Sequence, residues 1–193
     1  MKQMIKRLAV FCGAKPGNDP DFMNMAQSFG ADMVKRGIDL VYGGGQFGLM
    51  GEVANAVADN GGKVYGVITD QLDERGATLT SLHRLEVVPD MDTRKRRMME
   101  LADGIVAFPG GLGTLEEVSE AASWITLGNN KKPVVIYNYK GFYDPLINLL
   151  DEMHNQGFLE EQFKAAVHFS DNIDDLLQFM NSYHAPHHRV YHN

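Results

Sequence analysis

Three glycines, a threonine and two carboxylates stand within eight positions of this 193-residue chain, in the segment 110–117, GGLGTLEE. Glycine allows a positive φ and lets backbone N–H groups approach an anion closely. A helix that begins near Thr114 adds the positive end of its dipole and unpaired N–H groups. We therefore predict a phosphate-binding turn at Gly110, Gly111 and Gly113, with the carboxylate of Glu117 beside it.

The residue pattern alone is compatible with two roles for Glu117. Thr114 and Glu117 form T-x-x-E, the pattern of a capping box, in which the carboxylate accepts a hydrogen bond from the Thr114 N–H and has no chemical task. The other role is that of a catalytic carboxylate.

A basic segment, residues 94–97 (RKRR), opens the predicted helix that precedes this turn. Arg94 and Arg97 are three positions apart and share a helix face, whereas Arg96 points elsewhere, towards solvent. The helix starts at the carboxyl end of a strand, so Arg94 is expected on the same rim as the glycine turn. A guanidinium there can bind a phosphate or ribose oxygen.

Short β-rich runs alternate with longer helical patterns, which predicts an α/β, Rossmann-like doubly wound parallel sheet flanked by helices in one domain, residues 1–182. The predicted strands are Leu8–Cys12, Asp39–Tyr42, Lys63–Ile68, Arg84–Val88, Gly104–Phe108, Pro133–Tyr137 and Ala166–Phe169. The predicted helices are Pro20–Arg36, Gly48–Asn60, Met91–Leu101, Thr114–Leu127, Phe142–Gln156 and Ile173–Asn181.

A second glycine cluster, residues 43–48 (GGGQFG), also leaves a strand and enters a helix. It matches G-x-G-x-x-G, with Asp70 downstream as a ribose-binding acid, so an NAD-binding fold is a competing hypothesis. The match falls on the second strand, however, and not on the first. With the Rossmann strand order 3-2-1-4-5-6, the two glycine loops would lie three strand spacings apart, roughly 14 Å. That separation suits one mononucleotide, with Gly44 and Gly45 contacting it opposite the first turn.

Composition limits the class of protein. A formal charge of −7 and a pI near 5.4 argue against a general nucleic-acid or membrane surface. The single cysteine, Cys12, suits a reducing compartment, and we expect it to be buried packing. Lys2, Lys6 and Arg7 before an apolar run imitate a signal peptide, but the run is short and ends in turn residues. We expect a cytoplasmic protein.

Four histidines, His184, His187, His188 and His192, lie in the polar segment 183–193. They could be read as a metal site. Because this segment contains a proline and little that could pack, we predict a mobile tail and no metal site.

The motifs together resemble a known family. Residues 109–117, PGGLGTLEE, match PGGxGTxxE of the LOG family, the cytokinin riboside 5'-monophosphate phosphoribohydrolases that are often mislabelled as lysine decarboxylases. Residues 91–95, MDTRK, resemble the family's M-x-x-R-K segment at the family's spacing upstream. The likeness extends through 41–51 (VYGGGQFGLMG), 123–124 (SW) and 131–146, and covers most of the chain up to about Phe158.

The resemblance implies hydrolysis of the N-glycosidic bond of a nucleoside 5'-monophosphate, such as AMP or an N6-substituted AMP, to a free base and ribose 5-phosphate. It implies no cofactor. The implied catalytic residues are Arg94 and Glu117. The implied substrate contacts are Gly110, Gly111, Leu112, Gly113, Thr114, Lys95 and Ser123. A lysine decarboxylase would need a pyridoxal phosphate bound to lysine and a partner for its pyridinium nitrogen, and the sequence nominates neither.

The chain departs from the family's pattern at two positions. Cys12-Gly13-Ala14-Lys15 stands where relatives have a Cys-Gly-Ser-Ser type of turn, so Lys15 could replace a hydroxyl contact with a charge. Glu74 could serve as the acidic residue that many relatives carry near Gly76. As in the family, we expect a homodimer, with the helices that carry Met98, Met99, Trp124 and Ile125 at the interface. A noncatalytic nucleotide-binding module remains the alternative to an enzyme.

Overall fold

The computed structural model describes residues 4–190. Its strands are Arg7–Phe11 (β1), Asp39–Tyr42 (β2), Val64–Thr69 (β3), Arg84–Val88 (β4), Gly104–Ala107 (β5), Val134–Tyr137 (β6) and Val167–Ser170 (β7). Its α-helices are Asp21–Lys35 (α1), Gly48–Asp59 (α2), Asp70–Glu74 (α3), Met91–Leu101 (α4), Leu112–Thr126 (α5), Asp144–Asn155 (α6), Glu161–Lys164 (α7) and Ile173–Ser182 (α8).

Every predicted strand and helix is present, with ends that differ by at most two residues. The two helices that the sequence pattern missed are α3 and α7, with five and four residues. They are too short to show a helical period.

Seven parallel strands form one sheet in the order β4-β3-β2-β1-β5-β6-β7. The predicted order, with the fourth strand beside the first, is therefore wrong, because β4 lies at the edge and β5 pairs with β1. The glycine loops after β2 and β5 are separated by two strand spacings, about 10 Å, and not by three.

Helices cover both faces of the sheet, so the core has two halves. Apolar side chains of α1, α2 and α8 pack with one face of the sheet. Side chains of α4, α5 and α7 pack with the other. The strand order reverses between β1 and β5, and an open α/β sheet binds its ligands at the carboxyl ends of the strands beside such a point. The predicted single, doubly wound domain is confirmed.

Three of the four residues suggested for a dimer interface lie inside the subunit. Met98, Met99 and Ile125 are buried in the core, and Trp124 packs against it. These four side chains therefore have partners within one subunit, and an interface formed by the helices that carry them stays a prediction.

The described part of the His-rich segment, residues 183–190, follows a path along the end of α5. The Arg189 N–H donates to the Thr126 carbonyl over 2.9 Å, and the Arg189 guanidinium pairs with Glu160. Its mobility stays a prediction, and His192 lies outside the described residues. Within residues 4–190, no group of three or more His, Cys, Asp or Glu side chains is placed to hold a metal ion. None of the helices in that range is long and apolar enough to cross a membrane.

Candidate active site

A cavity of about 620 Å³ opens at the carboxyl ends of the central strands. Eight residues proposed from the sequence line it: Lys15, Gly45, Arg94, Gly110, Gly111, Gly113, Thr114 and Glu117. The loops after β1, β2 and β5 therefore meet at one site, as the parallel sheet requires.

The turn after β5 does not have the predicted backbone conformation. None of Gly110, Gly111 and Gly113 has a positive φ. Glycine is required at position 110 because the Thr114 side chain lies close to it: a Cβ there would be 2.2 Å from the Thr114 hydroxyl oxygen. A Cβ at Gly111 or Gly113 would meet no atom within 4 Å. These two glycines leave open space where the turn faces the cavity.

Helix α5 begins two residues earlier than predicted, and this change removes the capping box. Gly111 is the N-cap residue and no side chain caps the helix. Helix geometry leaves the N–H groups of the first turn, at positions 112–114, without intrahelical acceptors. They and the positive end of the helix dipole are available to an anion at the turn. Glu117 is in the second turn of α5 and is not a cap.

Arg94 is buried and held in place by backbone carbonyls. It lies in the first turn of α4, which Asp90 caps by accepting a 2.7 Å hydrogen bond from the Thr93 N–H. Its Nε donates to the Val67 carbonyl and its Nη2 to the Gly43 carbonyl, both over 2.9 Å. The guanidinium therefore bridges the ends of β2 and β3 and has one defined position.

Gly43 makes that position accessible, a role that the sequence did not reveal. A Cβ at Gly43 would lie 1.8 Å from Nη2 of Arg94. The first glycine of GGGQFG thus admits a protein side chain, not a phosphate. Gly44 has a φ of +75° and does not line the cavity. Gly48 has a φ of +60° and lets α2 approach the backbone at Lys15.

Glu117 faces Arg94 across the cavity wall, with 3.4 Å between its Oε1 and Nη1 of the arginine. Its side chain is 12% exposed. Burial raises the pKa of Glu117 from 4.5 to about 7, against the opposing effect of Arg94 and with a further contribution from Glu116. Desolvation prevails because a 3.4 Å contact compensates incompletely for the loss of water. Both protonation states of Glu117 are accordingly present near neutral pH.

Lys95 does not line the cavity, although the resemblance implied a substrate contact. Its ammonium group lies 2.5 Å from the Glu116 carboxylate and 2.7 Å from that of Glu120. Burial by itself would favour the neutral amine, but these hydrogen bonds raise the pKa of Lys95 above its usual range.

Three other predicted contacts lie outside the cavity lining. Ser123 is exposed near the far end of α5, Glu74 is exposed on α3, and Leu112 is 85% exposed beside the turn. Their contacts with a substrate stay predictions.

The wall beyond Arg94 is apolar and was not foreseen. Ile68, Leu72, Ala77 and Met91 supply it together with Met50. Leu72 lies on α3 and Ala77 in the turn after it, and this turn is fixed to the second glycine loop, where the Gln46 N–H donates to the Ala77 carbonyl over 2.8 Å. This side of the cavity suits a flat, weakly polar group such as a purine base.

Cys12 also lines the cavity, at the end of β1. It is buried, as predicted. Burial, reinforced by the Glu117 carboxylate, raises the pKa of its thiol well above the usual range. The neutral thiol is not a nucleophile.

Comparison with known proteins agrees with the motifs. A family model described as "Possible lysine decarboxylase" matches residues 50–180. The cytokinin riboside 5'-monophosphate phosphoribohydrolase LOG of Oryza sativa subsp. japonica is 38% identical over 182 residues, which cover 94% of this chain and 75% of that protein. LOG7 of Arabidopsis thaliana, which carries the same enzyme name, is also 38% identical, over 94% of this chain and 84% of its own length.

Solved structures with lower identity share the fold. The X-ray structure of TM1055, a structural genomics target, has a TM-score of 0.70 and 22% identity, covering 92% of this chain and 99% of its own. The molybdenum cofactor binding protein of Rippkaea orientalis has a TM-score of 0.67 and 18% identity, over 94% and 98% of the two chains. The family model and the plant relatives give more than the fold: this chain belongs to the LOG family of phosphoribohydrolases, enzymes that hydrolyse N-glycosyl bonds.

Proposed function

We propose that the protein hydrolyses the N-glycosidic bond of a nucleoside 5'-monophosphate to a free base and ribose 5-phosphate. The observation that carries this proposal is the Arg94–Glu117 pair, which shares one cavity with the glycine turn at the start of α5. The anion site suits the 5'-phosphate of a phosphoribosyl group, and the buried carboxylate in the same cavity suits the C1' end.

The phosphate is bound at the turn. N–H groups of the first turn of α5 donate to it, and Lys15 on the neighbouring loop after β1 adds a positive charge. Binding energy from this remote group can orient the ribose at C1'.

Glu117 acts at C1'. Cleavage of the bond between C1' and the base nitrogen leaves its electron pair on the base and develops positive charge on the ribose ring. The carboxylate form of Glu117 stabilises that charge and accepts a proton from the water whose oxygen bonds to C1'. The departing base takes up one proton on its nitrogen and Glu117 releases its own, so the carboxylate is restored. A preorganised group of this kind contributes roughly 10²- to 10³-fold in rate. Arg94 keeps the carboxylate oriented and, through its charge, favours the ionised form.

The names of the plant relatives and the apolar wall at Ile68 and Leu72 support an adenine-type base. We propose AMP or an N6-substituted AMP, such as a cytokinin ribotide, as the substrate. We also propose a cytoplasmic homodimer, whose assembly sedimentation velocity would test.

A chromatographic screen of nucleoside monophosphates for base release tests the proposal. Base release from AMP or an N6-substituted AMP is expected. In Glu117→Gln, release should be lost while nucleotide binding, measured by calorimetry, is retained. Tight binding without release across the whole panel would refute the enzyme and indicate a nucleotide-binding module. Binding of NAD in preference to monophosphates would instead support the dinucleotide hypothesis.

A further inference from the structure

Lys95 and its partners form a second link between α4 and α5, beside the catalytic pair. Lys95 follows Arg94 in the sequence, and Glu116 precedes Glu117. Nζ of Lys95 lies within hydrogen-bond distance of Glu116 and Glu120, at 2.5 and 2.7 Å. The contact between Arg94 and Glu117 is longer, at 3.4 Å. The lysine therefore makes the shorter of two adjacent bridges between the same helices.

We propose that Lys95 is a positioning residue, which holds α5 against α4 so that Glu117 faces Arg94, and that it does not bind substrate. This inference rests on the proposed function, because it assigns a role within that site.

Carboxylates surround the ammonium group of Lys95 and accept hydrogen bonds from two of its donors. An ammonium group has three N–H donors. Three carboxylates surround it, since Asp92 lies 3.5 Å away in addition to Glu116 and Glu120. The side chain is only 4% exposed, and the residue does not line the cavity. A phosphate would have to displace these carboxylates to reach the amine.

Lys95 also balances the charge around Glu117. On α5, Glu116 and Glu120 disfavour the ionised form of Glu117, whereas Arg94 and Lys95 on α4 favour it.

The remaining charged or titratable neighbours of Glu117 come from β1 and the loop after it. The Cys12 thiol interacts with the Glu117 carboxylate, and Lys15 lines the same cavity. Neither group is among the charged partners of Lys95, which are Asp92, Glu116 and Glu120. Removal of Lys95 therefore leaves two unpaired carboxylates beside Glu117, and the proton should stay on Glu117 to a higher pH.

The test compares Lys95→Met with the wild type and with Lys132→Met. Lys132 is a suitable control because its half-buried side chain donates to a backbone carbonyl, that of Glu100, over 3.1 Å, and does not line the cavity. In Lys95→Met, kcat should fall by roughly 10- to 100-fold, as expected for a misplaced catalytic group, while KM changes less than about threefold. Lys132→Met should keep both constants. A rise in KM with unchanged kcat in Lys95→Met would overturn the inference, because it is the signature of a lost substrate contact.

A second readout needs no substrate. Carbon-13 NMR of protein labelled at glutamate carboxyls follows the titration of Glu117, assigned by its absence in Glu117→Gln. Its apparent pKa should rise by about one unit in Lys95→Met, because like charges are left unpaired nearby. An unchanged titration would refute the inference, even if the wild type hydrolysed no monophosphate and the proposed function failed.

A triple variant covers the case in which Lys95→Met does not fold. In Lys95→Met with Glu116→Gln and Glu120→Gln, the ammonium group and both carboxylates lose their charges together, which is less costly than leaving the carboxylates without their partner. The fall in kcat should remain, because the bridge is gone. The pKa of Glu117 should no longer exceed that of the wild type. Wild-type kcat in this variant would show that the bridge does not position Glu117.

Discussion

Replacing Gly43 with alanine should displace Arg94 by adding a single methyl group. The added Cβ would lie 1.8 Å from Nη2, whereas ordinary contact begins at 3.4 Å, so the guanidinium must retreat by about 1.6 Å. Gly43 does not have a positive φ, so the methyl group introduces a clash and no backbone strain. The hydrogen bond from Nη2 to the Gly43 carbonyl cannot survive that movement.

This displacement of Arg94 should lower kcat/KM strongly and the free energy of unfolding only moderately. A misplacement of about 1 Å can reduce a rate roughly 100-fold, and loss of one electrostatic group costs about 10²- to 10³-fold. We therefore expect kcat/KM for the best monophosphate to fall by two to three orders of magnitude. Loss of a hydrogen bond from a charged group costs about 2 kcal/mol, or roughly 4–8 °C in Tm for a domain of this size.

Gly104→Ala is the matched control. Gly104 begins β5, at the end of the strand away from the cavity, and a Cβ there would meet Sδ of Met180 at 2.8 Å. This variant should lose stability and keep its kcat/KM. Base release would be measured by chromatography and Tm by calorimetry. If Gly43→Ala keeps kcat/KM within about threefold of the wild type, a fixed Arg94 is not needed for the reaction.

Three further predictions concern the turn and the carboxylate. Gly110→Ala should weaken monophosphate binding in calorimetry and lower Tm, because its Cβ would lie 2.2 Å from the Thr114 hydroxyl, whereas Gly113→Ala should leave Tm unchanged or higher. Burial raises the pKa of Glu117 to about 7, so the stabilisation from its bound proton is complete below about pH 4.5 and is lost as the pH rises through 7. From pH 5 to pH 8, urea unfolding should show the wild type losing on the order of 2–3 kcal/mol relative to Glu117→Gln. Tyr143→Phe removes the 2.7 Å hydrogen bond from the phenol to the carbonyl at position 108, just before the turn; stability should fall by about 1 kcal/mol and KM should rise.

Strand and helix positions could be predicted because buried parallel strands are continuous apolar runs that end in glycine turns. The order of the strands could not be predicted in this way, since it depends on which strand β5 pairs with after the chain leaves β4. One signal was available. Arg84 and Glu86 place two charges in β4, as is common in edge strands, whereas β6 (VVIY) has none.

The turn and its two catalytic candidates were found from the motifs, but their roles depend on tertiary contacts. Glycine in a turn suggests a positive φ, yet Gly110 is needed for close approach to Thr114. The family resemblance implied a ligand contact for Lys95, and lysine is rarely buried. Its burial needs Glu116 and Glu120 on a different helix, and no local pattern joins residues some twenty positions apart.

The edge position of β4 explains how the pair at Arg94 and Glu117 is assembled. Because β5 pairs with β1, the chain must return from the edge across β3 and β2, and α4 is the helix that makes this crossing. Its first turn therefore lies at the ends of β2 and β3, where the carbonyls of Gly43 and Val67 receive the guanidinium. With β4 between β1 and β5, the same helix would not make that crossing, and Arg94 would have neither carbonyl within reach. The geometry of the Arg94–Glu117 pair is thus a consequence of the strand order, which neither motif specifies alone.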